Sequence, residues 1–183
     1  MLAYKGFNKG LVCRGYQFQM GLNITEKANC VENGFHCAEN PLDCLTYYSD
    51  INNSEYYIVD AGGDIDEDDR DSKISCTHLT IIKRITPKEL FLHSLAYIND
   101  HPFRDNSRHV NENQHEAING YAVVRGKNPI ACGKKGDILC FAKEAEDSKR
   151  IIQMSIAVVD GKRVMPNKWY NVELKESEAI SND

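Results

Sequence analysis

Apolar and aromatic residues in the first quarter of the chain come in short clusters separated by glycine. Tyr4, Phe7, Tyr16 and Phe18 favour extended backbone, and Gly6, Gly10, Gly15 and Gly21 interrupt it, so Leu2 to Thr25 predicts short strands joined by turns. Gly34-Phe35-His36-Cys37 predicts another short strand. The period then changes. Asn40 can cap a helix and Pro41 suits its first position, where a missing N–H costs nothing, with Leu42, Leu45 and Tyr48 on one face. Tyr56 to Ala61 predicts a buried strand ended by Gly62-Gly63. Ile74 to Ile85 alternates as a strand does.

The strongest helix signal follows. Thr86 caps, Pro87 opens the first turn, and Glu89 completes a capping box. Leu90, Phe91, Ser94, Leu95 and Ile98 recur at helical spacing. Residues 100–119 are polar and predict a linker or exposed excursion, with a helical turn around Gln114 to Ile118. Three hairpin-like strand segments are expected at Tyr121–Arg125, Asp137–Ala142 and Ile151–Val159, then an Asp160-Gly161 turn. A last strand, Arg163 to Leu174, is interrupted by Pro166, and the tail after Lys175 is expected to fray. Helices and strands without regular βαβ alternation predict an α+β fold, mostly antiparallel, with two short helices at about 41–48 and 87–99. The expected organisation is one domain, 1–183, with residues 100–119 between an N-terminal α+β part and a C-terminal β-rich part.

Composition bounds the function classes. A chain of 183 residues with 42% hydrophobic and 27% charged residues can bury its own core, which excludes a disordered chain. No run approaches the roughly 20 apolar residues of a membrane helix, and the first residues do not resemble an export signal, so a cytoplasmic protein is expected. Seven cysteines without a CxxC pair predict free, buried thiols. Cys30, Cys37 and Cys44, with His36 among them, are spaced too widely for a tetrahedral zinc site, and no cofactor is expected. The net charge of −5 is local. Residues 51–80 hold eight acids and two bases, a net −6, which leaves +1 for the rest.

Most of that acidity sits in Asp64, Asp66, Glu67, Asp68, Asp69 and Asp71, expected to form an exposed, mobile loop. Asp64-Ile65-Asp66-Glu67-Asp68 resembles the start of a calcium loop, but Asp69 and Ser75 stand where an EF-hand needs glycine and glutamate, so no metal is assigned. A row of carboxylates can instead imitate DNA phosphates and occupy an Arg/Lys-lined groove, which makes these six acids the candidate partner-binding residues. A second candidate is Arg14-Gly15-Tyr16 with His36 and Tyr47-Tyr48, whose order echoes an ADP-ribosyltransferase, although no catalytic glutamate motif follows. The basic stretch Arg125, Lys127, Lys134 and Lys135 lacks the Walker order and predicts a solvated hairpin tip, too weakly charged for strong direct nucleic-acid binding.

Several segments recur together: Tyr4-Lys5-Gly6-Phe7, Cys13-Arg14-Gly15-Tyr16-Gln17, Gly34-Phe35-His36-Cys37, Asn40-Pro41-Leu42-Asp43 and Tyr47-Tyr48. Gly133-Lys134-Lys135-Gly136-Asp137, Val158-Val159-Asp160-Gly161 and Trp169-Tyr170 accompany them. Together they resemble a family of small proteins encoded by phages and mobile elements of bacteria, one branch of which is similar to type II-A anti-CRISPR proteins. Some relatives carry glycine/serine/asparagine-rich repeats where this chain has residues 100–119. The resemblance implies a non-catalytic inhibitor in the bacterial host cytoplasm. It would bind the guide-RNA-loaded type II nuclease, which holds nucleic acid in a positive channel. The alternatives are an ADP-ribosyltransferase-like enzyme, with Arg14 and His36 in a cleft beside a carboxylate, and a phage structural or accessory protein.

Overall fold

The computed structural model describes residues 1–29, 32–67 and 72–180. The chain divides into two compact units, Met1–Leu90 and Phe91–Asp183. The fold is α+β, dominated by antiparallel sheet. Among the described residues no helix is long and apolar enough to cross a membrane.

The first unit contains β1 (Leu2–Asn8), β2 (Val12–Cys13), β3 (Tyr16–Gln17), β4 (Gly21–Ile24), β5 (Phe35–Ala38), a 3-10 helix (Pro41–Thr46), β6 (Ser54–Glu67) and β7 (Lys73–Ile85). Strand β1 pairs with β5 and β6, and β7 pairs with the same two, so these four strands close a ring of antiparallel ladders. Alternation then sends one face of each strand inward. Ala3, Phe7, Tyr57, Val59, Cys76, Leu79 and Ile81 are among the residues that fill the interior, joined by Phe18 and Phe35. Edge-to-face ring contacts of Phe7 with Phe18 (5.2 Å) and Tyr57 (5.5 Å) order that core.

The Asn40 Oδ1 caps the short helix by accepting from the Leu42 N–H at 3.1 Å, as its Asn-Pro start predicts. Gly62-Gly63 does not end the sixth strand. It makes a register shift between Gly62 and Ile65, after which the ladder resumes through Glu67. Gly63 has φ +71, and a Cβ there would meet Thr77 Oγ1 at 2.1 Å. The acids Asp64, Asp66 and Glu67 therefore lie on a paired strand, not in a loop, with exposed side chains that solvent can screen. Asp68, Asp69 and Asp71 lie outside the described residues.

Helix α1 (Pro87–Asp100) starts with the expected capping box. Thr86 Oγ1 accepts from the Glu89 N–H at 3.2 Å, and Glu89 Oε2 accepts from the Thr86 N–H at 2.7 Å.

The second unit holds β8 (Asn111–Glu116), β9 (Tyr121–Cys132), β10 (Ile138–Glu144), β11 (Ile151–Val158), β12 (Trp169–Asn171) and β13 (Glu176–Ser177). Three expectations need correction here. Residues 111–116 form a strand where a helical turn around Gln114 to Ile118 was expected. That strand and β10 both pair in parallel with β9, so Tyr121–Arg125 and Asp137–Ala142 are not a hairpin. The chain is also held as far as Ile180: Gln114 Nε2 donates to Ile180 O at 2.9 Å, and Gln114 Oε1 accepts from Ile180 N at 2.8 Å.

Arg125 is not at a solvated tip but 3% exposed. Its guanidinium donates to Glu144 Oε1 at 2.7 Å, Asn106 Oδ1 at 2.9 Å, Lys149 O at 3.0 Å and Pro102 O. A planar group with five donors suits that convergence. It fastens the polar segment after α1 to the sheet, which a solvated reading of the same residue misses.

Candidate functional site

A hairpin turn, a strand and the 3-10 helix bring the chemistry of the first unit together. Cys13 pairs with Tyr16, leaving Arg14-Gly15 as a two-residue turn. Both residues have positive φ (+49 and +81), the backbone a two-residue hairpin favours. Glycine takes this conformation freely, whereas arginine holds it at a cost of about 1 kcal/mol or more. The neighbouring turn is pinned by Glu55, whose Oε2 accepts from Gly10 N at 3.1 Å.

Arg14 lines a cleft of about 350 Å³ together with Lys5, His36, Asp43 and Lys73. Its walls include the rings of Tyr4, Tyr16, Phe18, Phe35, Tyr47 and Tyr48. Tyr16 is half exposed and rests against Phe18 (4.6 Å between centroids) and Phe35 (5.3 Å). Tyr48 lies against Gly6, where a Cβ would come within 2.5 Å of its ring, so this wall depends on glycine at that position.

Lys5 is the least expected member. It sits on β1 between Ala3 and Phe7, two residues that are fully buried, and is itself only 5% exposed. Its ammonium donates to the His36 carbonyl and lies 5.2 and 5.3 Å from the ring centroids of Phe7 and Phe18. Among the described residues no carboxylate comes within salt-bridge distance of it, and a charge buried without a counter-ion is costly.

The field around His36 is positive. Burial, then Lys5, Lys73 and Arg14, push its imidazole down to about 4, so it is neutral near pH 7. Lys73 Nζ reaches Tyr47 Oη at 3.4 Å and lies 5.8 Å from the centre of that ring. Among the described residues Asp43 is the one carboxylate in the lining, and its Oδ2 accepts from Ser72 Oγ at 2.7 Å. The two buried thiols here are not activated: burial pushes Cys44 up to about 12, and Cys37 is raised by its hydrogen bond with Cys76 and by burial. Of the six described cysteines all are free and five are buried; Cys30 lies outside the described residues.

The structure thus brings Arg14, His36, Tyr16, Tyr47 and Tyr48 into one cleft, as the second sequence candidate required, and adds Lys5, Lys73 and Asp43. The signal for Lys5 is in the sequence: Ala3, Lys5 and Phe7 alternate onto one face, which places a lysine on an apolar stripe. The acids Asp64, Asp66 and Glu67 are outside this cleft.

By sequence, a family model described as a domain of unknown function (DUF7666) matches residues 1–93, just over half of the chain. All of the cleft residues fall inside that match. No curated protein and no solved structure matches the chain.

The depressed His36 value has a consequence for stability. Between about pH 6.5 and 4 the unfolded chain protonates this imidazole and the folded chain does not, so its contribution is present above that window and is lost as pH falls through it. The His36→Gln variant is expected to lose less stability than the parent between pH 6.5 and 4 in urea unfolding; identical pH profiles would show that His36 titrates normally.

Proposed function

This chain belongs to the DUF7666 family, and we propose that its matched half is a binding module for a small anionic ligand held in the Lys5–Arg14–Lys73 cleft. The observation that carries this reading is the buried Lys5 ammonium, which has a carbonyl and two ring faces around it but no carboxylate among the described residues. An anion entering the cleft supplies the missing counter-charge in a low-dielectric setting, where charge-assisted contacts are strong. A concave, largely aromatic pocket with a few converging polar groups is also the ordinary form of a small-molecule site.

The cleft favours binding over catalysis. ADP-ribosyl transfer needs a free carboxylate facing the reacting carbon, and among the described residues the one acid in the lining accepts a hydrogen bond from Ser72. Neither buried thiol of the lining is ionised near neutral pH. Inorganic pyrophosphate at low salt is the simplest probe. Its binding is expected to raise the His36 pKa above about 4 in an NMR titration and to shift the amides of Arg14 and Lys73. A value unmoved by pyrophosphate, with no amide shifts, contradicts an anion site.

A second reading, nuclease inhibition by direct contact, draws on a separate surface. Asp64, Asp66 and Glu67 are exposed at the end of β6, where Asp66 and Glu67 pair with β7 and the Asp64 N–H donates to Thr77 Oγ1. Ordered carboxylates of this kind suit an Arg/Lys-lined groove on a nucleic-acid enzyme. If this surface acts so, the protein retains a guide-loaded type II nuclease in a pull-down. Retention is expected to weaken as salt rises and to be lost when Asp64, Asp66 and Glu67 are all changed to Lys. No retention at low salt ends this reading and leaves the cleft reading untouched.

A further inference from the structure

Resting on the anion site above, we infer that its ligand is a nucleoside phosphate, with the phosphate over His36 between Arg14 and Lys73 and the base against Tyr16. Two features of the cleft, each independent of the other, lead to this class.

The first is the arrangement of charge. Lys5 enters from the core side of β1, Arg14 from the β2–β3 turn and Lys73 from the start of β7, so the three cations come from three separate elements around β5. Three donors on separate supports match an anion with several oxygens better than a single carboxylate, and a guanidinium pairs with phosphate through two parallel bonds. His36 is neutral there at pH 7, so it can meet a phosphate oxygen without carrying charge of its own.

The second is the wall. Tyr16 keeps 47% of its surface exposed although its ring is braced by Phe18 and Phe35 behind it. A rigid aromatic face left open beside a phosphate-binding group is what a nucleobase stacks on, and such stacking is insensitive to which base it is. An inorganic anion makes no use of this face. A bare nucleoside makes no use of the cations.

Arg14 sharpens the assignment. It occupies a left-handed turn position where asparagine or glycine is more at ease, so its side chain is not there for the turn. The Arg14→Asn variant therefore separates folding from binding: it removes the guanidinium at a position the new residue tolerates well.

The test is calorimetric titration of the full chain with each ribonucleoside 5′-monophosphate, the matching nucleosides, and inorganic phosphate. At least one monophosphate is expected to bind tenfold or more tighter than both its nucleoside and inorganic phosphate. Arg14→Asn should weaken that monophosphate tenfold or more with an unfolding midpoint no lower than the parent's. Tyr16→Ala should weaken the monophosphate and leave inorganic phosphate unchanged. Inorganic phosphate binding as tightly as every monophosphate overturns the nucleoside inference and leaves the anion site standing. Binding of none of these probes, in protein that also ignores pyrophosphate, overturns both.

Discussion

A lysine ammonium inside a ring of β-strands is the constraint around which the first unit is built. Burying a charge costs several kcal/mol unless something answers it. Here the answer is partial: the carbonyl of His36 and the faces of Phe7 and Phe18 surround Lys5. Those partners come from three different strands or turns. They gather β1, β5 and Phe18 around one ammonium, and Lys5 is among the residues that line the cleft. Ring faces are among the few apolar surfaces that attract a cation, so Phe7 and Phe18 lower that cost.

The positive field then shapes its neighbours. His36 loses its proton to burial first and to the nearby cations second, while Lys73 lies beside the Tyr47 ring and Arg14 holds a strained turn. Cys44 in the same wall stays protonated, because burial outweighs the nearby cations. A site made this way has charge and shape before any ligand arrives, which lowers the cost of ordering on binding.

Most of the first unit was legible in the sequence, because its signals are local. The turn glycines Gly10 and Gly15, Asn40-Pro41 and the Thr86–Glu89 box each act within a few residues and are found in the structure, whereas Gly6, expected to interrupt a strand, lies inside β1. Gly62-Gly63 was read as a stop because a glycine pair usually ends a strand; only the register with β7 shows that it is a bulge. The second unit was less legible. Parallel pairing of β9 with β8 and β10, and the tie from Gln114 to Ile180, join residues distant in sequence that leave no periodic mark. Arg125 looked solvated among lysines because its partners, Glu144, Asn106 and two carbonyls, converge only in the fold. Of the candidate site, Arg14 and His36 are visible as a pair, whereas Lys5 stands only within the Tyr4-Lys5-Gly6-Phe7 segment.

The central claim is that Lys5 is kept for a ligand rather than for the fold, and Lys5→Met separates the two. Methionine keeps a flexible apolar side chain of nearly the same length and removes the ammonium together with its hydrogen bond to the His36 carbonyl. The measurement is chemical unfolding of both proteins in ligand-free buffer and in pyrophosphate. The account predicts that Lys5→Met is as stable as the parent or more so without ligand, and gains nothing from pyrophosphate where the parent is stabilised. A ligand-free loss of about 3 kcal/mol or more, with the pyrophosphate effect retained, would make Lys5 a structural cation and contradict the account.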